Sequence, residues 1–397
     1  MSLIENINIT PAKLDALMKA TAGFKETGLL FIGRSSDSSE KTFAIIDHLN
    51  FGFSGIFPYF SNLFDIDARY LVSFFFLLLF LGSFLITLLS SILICKNKNK
   101  IIPLFLIIGF FYIFIYKYVL ISNAEYFIYF FWGLMPLPYF YFLKKSFNIQ
   151  LLFIFIVSFL LIILGSLLYY SYISFLIFYL IATFLNEKLN YKKFILLIPL
   201  ISFLFLTQIE SYSNNLAVKN LIKIKNINLS TDDSYRAIGN SSIVAFYAGL
   251  GYLRSDYFTE YFHDSEVFKL VGKLDENGSI IKKTDWNSFT KLNKQDIEII
   301  KNKIIEFIFK SPLFIFKTIF AKLGILLGFF LIICNFSLLF FFSKKLKFQY
   351  SIPLLANLLV AMIFPIISIP SKLYSLTFLG ASLAIFIVSY CKNRKII

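Results

Sequence analysis

The sequence predicts an all-α polytopic membrane protein of about nine transmembrane helices, with an extracytoplasmic N-terminal segment and one large extracytoplasmic loop. Three observations predict it. Of 397 residues, 58% are hydrophobic and only 15% are charged, whereas soluble domains carry about 25% charged residues. Apolar runs of about 20 residues recur along the chain, each long enough to cross a bilayer as a helix. Lysines gather in alternate short loops between those runs, which is the positive-inside pattern. A β-barrel is excluded because the runs do not alternate polar with apolar residues.

Composition narrows the function classes. The net charge of +15 does not mark a nucleic-acid binder, because its lysines are spread over the short loops rather than along one surface. Cys95, Cys334 and Cys391 are too few and too scattered for a disulfide framework or a metal cluster. Residues 1–28 lack the continuous apolar core of a cleavable signal peptide.

Each element follows from its pattern. In the N-terminal segment, residues 1–70, Pro11 to Phe24 shows helical spacing through Leu14, Leu17, Met18 and Ala22. A polar break follows from Gly33 to Glu40, and the interrupted apolar stretch Phe43–Phe64 reads as re-entrant or interfacial. A bundle of about six helices over residues 71–209 comes next, with spans at Leu71–Ile94, Ile101–Val119, Phe127–Leu143, Leu151–Leu168, Tyr169–Leu185 and Phe194–Ile209. Residues 210–323 form the large loop, which ends in an amphipathic, membrane-boundary approach over Ile304–Leu323. Residues 324–397 hold about three more spans, Gly324–Phe342, Ser351–Ile369 and Leu373–Tyr390, and a basic tail.

The lysine-rich loops around Lys96–Lys100, Lys144, Lys188–Lys193, Lys344–Lys347 and Lys392–Lys395 are assigned to the cytoplasm. Loops bearing Glu125 or Lys372, the first 70 residues and the segment Glu210–Lys310 then face outward.

The chemistry-bearing residues cluster in the outward parts. Asp37 and Glu40 are external acids, and an external carboxylate suits a general base when its pKa matches the task. The blander reading is a solvated loop acid. Asp47 and His48 form a second acid–base pair, or equally a helix cap. Lys317, Lys322 and Lys372 sit at outer membrane boundaries, against the positive-inside trend, where a headgroup-level phosphate would explain them. The competing reading is snorkelling, with the alkyl stem in lipid and the ammonium in water. The stretch Ile238–Glu266 is dense in aromatic and polar residues. In it, Gly249-Leu250-Gly251 lacks the setting of a phosphate loop and reads as a tight turn that places Tyr247, Tyr252, Arg254 and Asp256. His263-Asp264 does not build a metal site, since no second His or Cys lies near it.

Two local patterns resemble a known group. One is Phe246-Tyr247-Ala248-Gly249-Leu250-Gly251-Tyr252, followed by Asp256-Tyr257 and His263-Asp264-Ser265-Glu266; the other is Lys310-Ser311-Pro312-Leu313-Phe314-Ile315-Phe316-Lys317, leading through Lys322 into a span. With the layout of external acidic loop, helices, large loop and final helices, these resemble the GT-C superfamily of integral-membrane glycosyltransferases, in particular bacterial relatives of the protein O-mannosyltransferase family. The resemblance implies sugar transfer from a polyprenyl-phosphate donor to a glycan, lipid or protein acceptor, on the outer face of the bacterial inner (cytoplasmic) membrane. It implies Asp37 as base and Lys317, Lys322, Lys372 or Arg254 on the donor phosphate. No metal or other cofactor is required, although a divalent ion is compatible with the acidic loops. Family members usually begin with a spanning helix, and none is read here before the acidic loop. Two alternatives are a flippase or permease for a lipid-linked or polar solute, and an O-antigen-type polymerase.

Overall fold

Proline and glycine bracket the first long helix. In the computed structural model α1 (Ser2–Glu5) leads into α2 (Pro11–Thr27), where Pro11 occupies the first turn, in which an N–H has no intrahelical partner. Gly28 closes α2 at φ +66° and donates its N–H to Phe24 O at 2.8 Å. The structure describes residues 2–34, 43–45, 51–95, 98–138, 149–166, 173–185, 193–225, 242–253, 257–258, 264–275, 292, 294–334, 348–371 and 373–392. They group into two compact units: Met1–Asn228 with Phe330–Ala361 and Leu376–Ile397, and Leu229–Phe329 with Met362–Ser375.

In the first unit, β1 (Ile32–Arg34) and β2 (Phe43–Ile45) pair antiparallel, with Gly33 opposite Ala44. This small hairpin departs from the all-α expectation. Its β-branched and aromatic residues suit a half-buried ladder; β1 overlaps what reads as a polar break, and β2 is the start of what reads as an interfacial stretch. The stretch expected to be re-entrant is a π-turn over Gly52–Ile56 and then α3 (Phe57–Phe64), which bury Phe53 and Phe57.

The first long apolar helix is α4 (Ala68–Ile94). Asp67 caps it by accepting the Arg69 N–H at 2.9 Å. At 1.5 Å per residue it spans about 40 Å, and it turns Val72, Phe76 and Leu79 inward while Phe74, Leu78 and Leu85 stay exposed. Then come α5 (Ile101–Ile115) and α6 (Phe127–Leu134). Helical residues run on from Ile101 to Pro138, yet the chain reverses within them. The rings of Tyr112 and Phe130 lie 5.7 Å apart, whereas 18 residues of straight helix would separate them by about 27 Å. Asn123 makes the turn with φ −149° and ψ 58°.

The remaining helices are α7 (Ile149–Ser166), α8 (Ile173–Phe184), α9 (Lys193–Lys225), α10 (Ser242–Leu250), α11 (Asp264–Leu270), α12 (Lys294–Lys310), α13 (Pro312–Cys334), α14 (Phe348–Ile367) and α15 (Leu376–Lys392). Ala68–Ile94, Ile101–Pro138 and Pro312–Cys334 are long and apolar enough to cross a membrane, and shorter apolar helices accompany them. The chain is therefore a mostly helical membrane protein.

Three boundaries differ from those the hydropathy runs suggest. The helix over Phe194–Ile209 continues to Lys225, because its polar end packs on the N-terminal segment: Asn220 Nδ2 donates to Leu30 O at 2.9 Å. The span expected at Gly324 begins at Pro312, so Lys317 and Lys322 lie inside it. The approach over Ile304–Leu323 is broken at Ser311 into α12 and the start of α13.

The N-terminal segment is stitched to the α5–α6 turn. The Asn8 N–H donates to Leu120 O at 3.0 Å, the Ala124 N–H donates to Asn8 O at 2.8 Å, and Ser73 Oγ donates to Ile7 O at 2.9 Å. Glu125, fully buried, accepts from the Thr10 N–H and from Thr10 Oγ1, the latter at 2.6 Å. Burial lowers the Lys13 ammonium to about 8, against the opposing pull of the Glu125 charge. At the other end of α4, Lys100 Nζ donates to Tyr390 O at 2.8 Å. Residues 7–10 and the Glu125 turn thus share one end of α4, and Lys100 and the end of α15 share the other. Within this unit α6 packs closely on α15. A Cβ on Gly133 would stand 2.2 Å from Thr377 O, and one on Gly380 2.3 Å from Phe130 O, the close backbone approach that small residues permit between membrane helices.

Candidate functional site

The second unit is built on aromatic packing. Tyr247 on α10, Phe258, Phe307 on α12 and Ile315 on α13 are buried together with Val267 and Ile300. Tyr247 and Phe258 have ring centres 5.3 Å apart, and Phe258 stacks on Phe314 at 6.1 Å. Much of the aromatic stretch singled out in the sequence is therefore the core of this unit rather than an open surface. Burial, and secondarily the Glu266 charge, raise the Tyr247 phenol to about 12. Tyr257 is half-exposed, and its hydroxyl lies 2.8 Å from Ser311 Oγ at the α12–α13 break.

Helix α13 enters this core with one inward face. Ile315, Thr318, Lys322 and Leu326 recur at helical spacing, and all are buried. Lys322 is 1% exposed. Its Nζ donates to Ser368 O at 2.6 Å and to Ile366 O at 2.9 Å, both at the C-terminal end of α14. A cation there meets the negative end of the helix dipole and satisfies carbonyls that have no intrahelical partner. The ring of Tyr252 lies 5.8 Å from the same ammonium, within cation–π range. One turn before Lys322, the Thr318 hydroxyl is fully buried and has no hydrogen-bond partner among the described residues.

Gly249 makes the arrangement possible. It is not the tight turn expected from Gly249-Leu250-Gly251 but part of α10, which ends with Tyr252 N–H donating to Gly249 O at 3.2 Å. A Cβ at Gly249 would lie 2.1 Å from Ile367 O and 3.0 Å from Lys322 Nζ. Only a residue without one lets α10 rest on the end of α14.

Two of the candidates thus meet, Lys322 and Tyr252. Lys317 does not join them. Five residues from Lys322, it lies about 140° around the helix, exposed beside Leu313, Phe316 and Phe320, as a snorkelling lysine would be. Asp264 is the first residue of α11. Asp37, Glu40, Asp47, His48, Arg254, Asp256, His263 and Lys372 lie outside the described residues. Sequence reasoning missed Thr318 and read Gly249 as a turn rather than as the contact point of a helix. The spacing of Thr318 four residues before Lys322 was the available signal. It also took Glu125 as a loop charge and overlooked Lys13, whereas the structure buries Glu125 and half-buries Lys13. Among the described residues no three His, Cys, Asp or Glu side chains gather to hold a metal ion. Compared with known proteins, the chain matches no protein-family model, no curated protein and no solved structure.

Proposed function

We propose that this chain is a multi-pass glycosyltransferase of the bacterial cytoplasmic membrane, moving a sugar from a polyprenyl-phosphate donor to a glycan, lipid or protein acceptor on the outer face. One observation supports the reading above the others. Lys322 is a buried lysine in a membrane-length helix, and one turn away the buried Thr318 hydroxyl lacks a partner among the described residues. A lysine that only marks topology belongs at a rim, whereas a basic pocket between membrane helices suits a lipid phosphate.

In this reading the donor phosphate takes the remaining N–H of Lys322 and the Thr318 hydroxyl as Tyr252 moves off the ammonium. Exposed Lys317 draws the phosphate in along the apolar face of α13. Charge stabilisation of the leaving phosphate then supplies much of the rate. The base, by the family resemblance, is Asp37, which takes the acceptor hydroxyl's proton as its oxygen attacks the sugar carbon.

The test is binding of a short-chain polyprenyl-phosphate sugar to the purified chain. Lys322→Met should abolish binding, Lys322→Arg should retain part of it, and Lys317→Met should weaken it modestly. Parent-like binding by folded Lys322→Met would remove the reading's support. The same buried charge also favours the transport alternative, since intramembrane ionisable residues mark ion and substrate paths. Movement of a labelled lipid-linked sugar across proteoliposomes without transfer to any acceptor would select it.

A further inference from the structure

A second polar recess lies in the first unit, remote in sequence from Lys322. Ile7, Asn8 and Ile9 pass over the first two turns of α4 and leave a recess of about 220 Å³ between them, lined also by Glu5, Arg69, Tyr70 and Ser73. Its polar groups carry both signs. Arg69 bonds Asp67 through Nε and Nη2, the latter at 2.7 Å, while its Nη1 has no hydrogen bond among the described residues. Glu5 is exposed and has no ionic partner among the described residues. Ser73 is committed to Ile7 O, and Asn8 Nδ2 donates to Ile121 O at 3.1 Å. The recess therefore offers the Nη1 edge of a guanidinium that Asp67 holds on its other side, and the Glu5 carboxylate.

Below it the surface turns wholly apolar. Tyr70, Phe74, Leu78, Leu81, Leu85 and Leu89 are exposed along one face of α4 at helical spacing. That stripe starts at the recess and runs down a membrane-length helix. An amphiphile seated with its head in the recess would lay its chain on the stripe.

We propose that this recess binds a phosphoethanolamine headgroup of a membrane phospholipid, with the phosphate on Arg69 and the ammonium on Glu5. The charge pattern selects this class. A purely anionic headgroup would set its phosphate against Glu5 with no cation to answer the carboxylate. A choline headgroup carries its charge on a trimethylated nitrogen that has no N–H for Glu5. Ethanolamine supplies a primary ammonium with donors, and its phosphodiester accepts from the Nη1 edge of Arg69 that Asp67 leaves open.

The experiment is native mass spectrometry of the full chain in detergent, titrated with dioleoyl phosphatidylethanolamine, phosphatidylcholine and phosphatidylglycerol. Ethanolamine lipid should bind about two- to fivefold better than either of the others, the range expected for one solvent-accessible ion pair. Glu5→Gln should bring ethanolamine and choline lipids to parity, and Glu5→Asp should retain the preference. Arg69→Gln should weaken all three lipids. Each variant alters an exposed side chain, and an unchanged melting temperature confirms that it is folded. Equal binding of the three lipids by the unmodified chain, or a preference that survives Glu5→Gln, would overturn the proposal. Water-soluble glycerophosphoethanolamine should not displace the bound lipid at equal concentration; if it does, the ligand is a free phosphate ester and the role of the α4 stripe is refuted.

Discussion

Replacing Lys322 by Met keeps the length of the stem and removes the ammonium. Lys322 is 1% exposed, so water does not take its place. Ile366 O and Ser368 O, bonded at 2.9 and 2.6 Å, each lose a donor. An unsatisfied buried acceptor costs about 1–3 kcal/mol. The two carbonyls together give about 2–6 kcal/mol, and the released desolvation cost of the charge brings the expectation to about 2–4 kcal/mol. The loss should be local to the second unit, because the bonds join α13 to the end of α14 beside Gly249. At about 1.4 kcal/mol per factor of ten, amide exchange limited by local opening should quicken by about 30- to 1,000-fold. Hydrogen exchange of the full chain in nanodiscs reads this in peptides covering residues 244–252 and 362–371, with residues 72–90 of α4 as the internal reference. Lys317→Met, on the exposed face, should change exchange little, since exposed substitutions lie within about 0.5 kcal/mol. Unchanged exchange at residues 362–371 in Lys322→Met would refute the reasoning, because the two carbonyl bonds would then carry no energy.

Lys13 titrates in the fold at about 8, below its ordinary 10.5. The unfolded state therefore holds the extra proton between those values, and stability should rise as pH climbs from about 8 to 10. Melting curves of the parent should show that rise and those of Lys13→Met should not. The topology is checked with new thiols, since Cys95, Cys334 and Cys391 are all buried and silent to either side. An impermeant maleimide on intact cells should label Lys25→Cys and spare Asn99→Cys, and the reverse pattern would invert the orientation. Asp37→Asn should lower sugar transfer by about 10²–10⁴-fold with donor binding unchanged. A near-normal rate beside a collapse in the amide variant of Glu40, Asp47, Asp256 or Asp264 would move the base to that residue.

The chain's own sequence determined its solvent and much of its helical content. Apolar runs announced α4, α5 and the last two helices to within a few residues, since a backbone in lipid must satisfy its hydrogen bonds within a helix. The helical spacing of Leu14, Leu17, Met18 and Ala22 announced α2 likewise, and the structure extends it from Phe24 to Thr27. Lys322 and Tyr252 were legible as candidates because a lysine against the charge trend, and an aromatic beside paired glycines, stand out by residue type alone.

Tertiary structure decided what those residues touch. Hydropathy averages around the helix, so it cannot tell that Lys317 faces outward while Lys322, about 140° away, faces the core. The rotation of α13 is set by Tyr247, Phe258 and Phe307 packing on Ile315, contacts that a linear pattern does not carry. Gly249 looked like a turn because its partner, Ile367 O, lies more than a hundred residues later. Glu125 read only as a charge in an outward loop because Thr10, which bonds it, precedes it by 115 residues. In each case the residue's type was local information, but its environment was supplied by chain that only folding brings near.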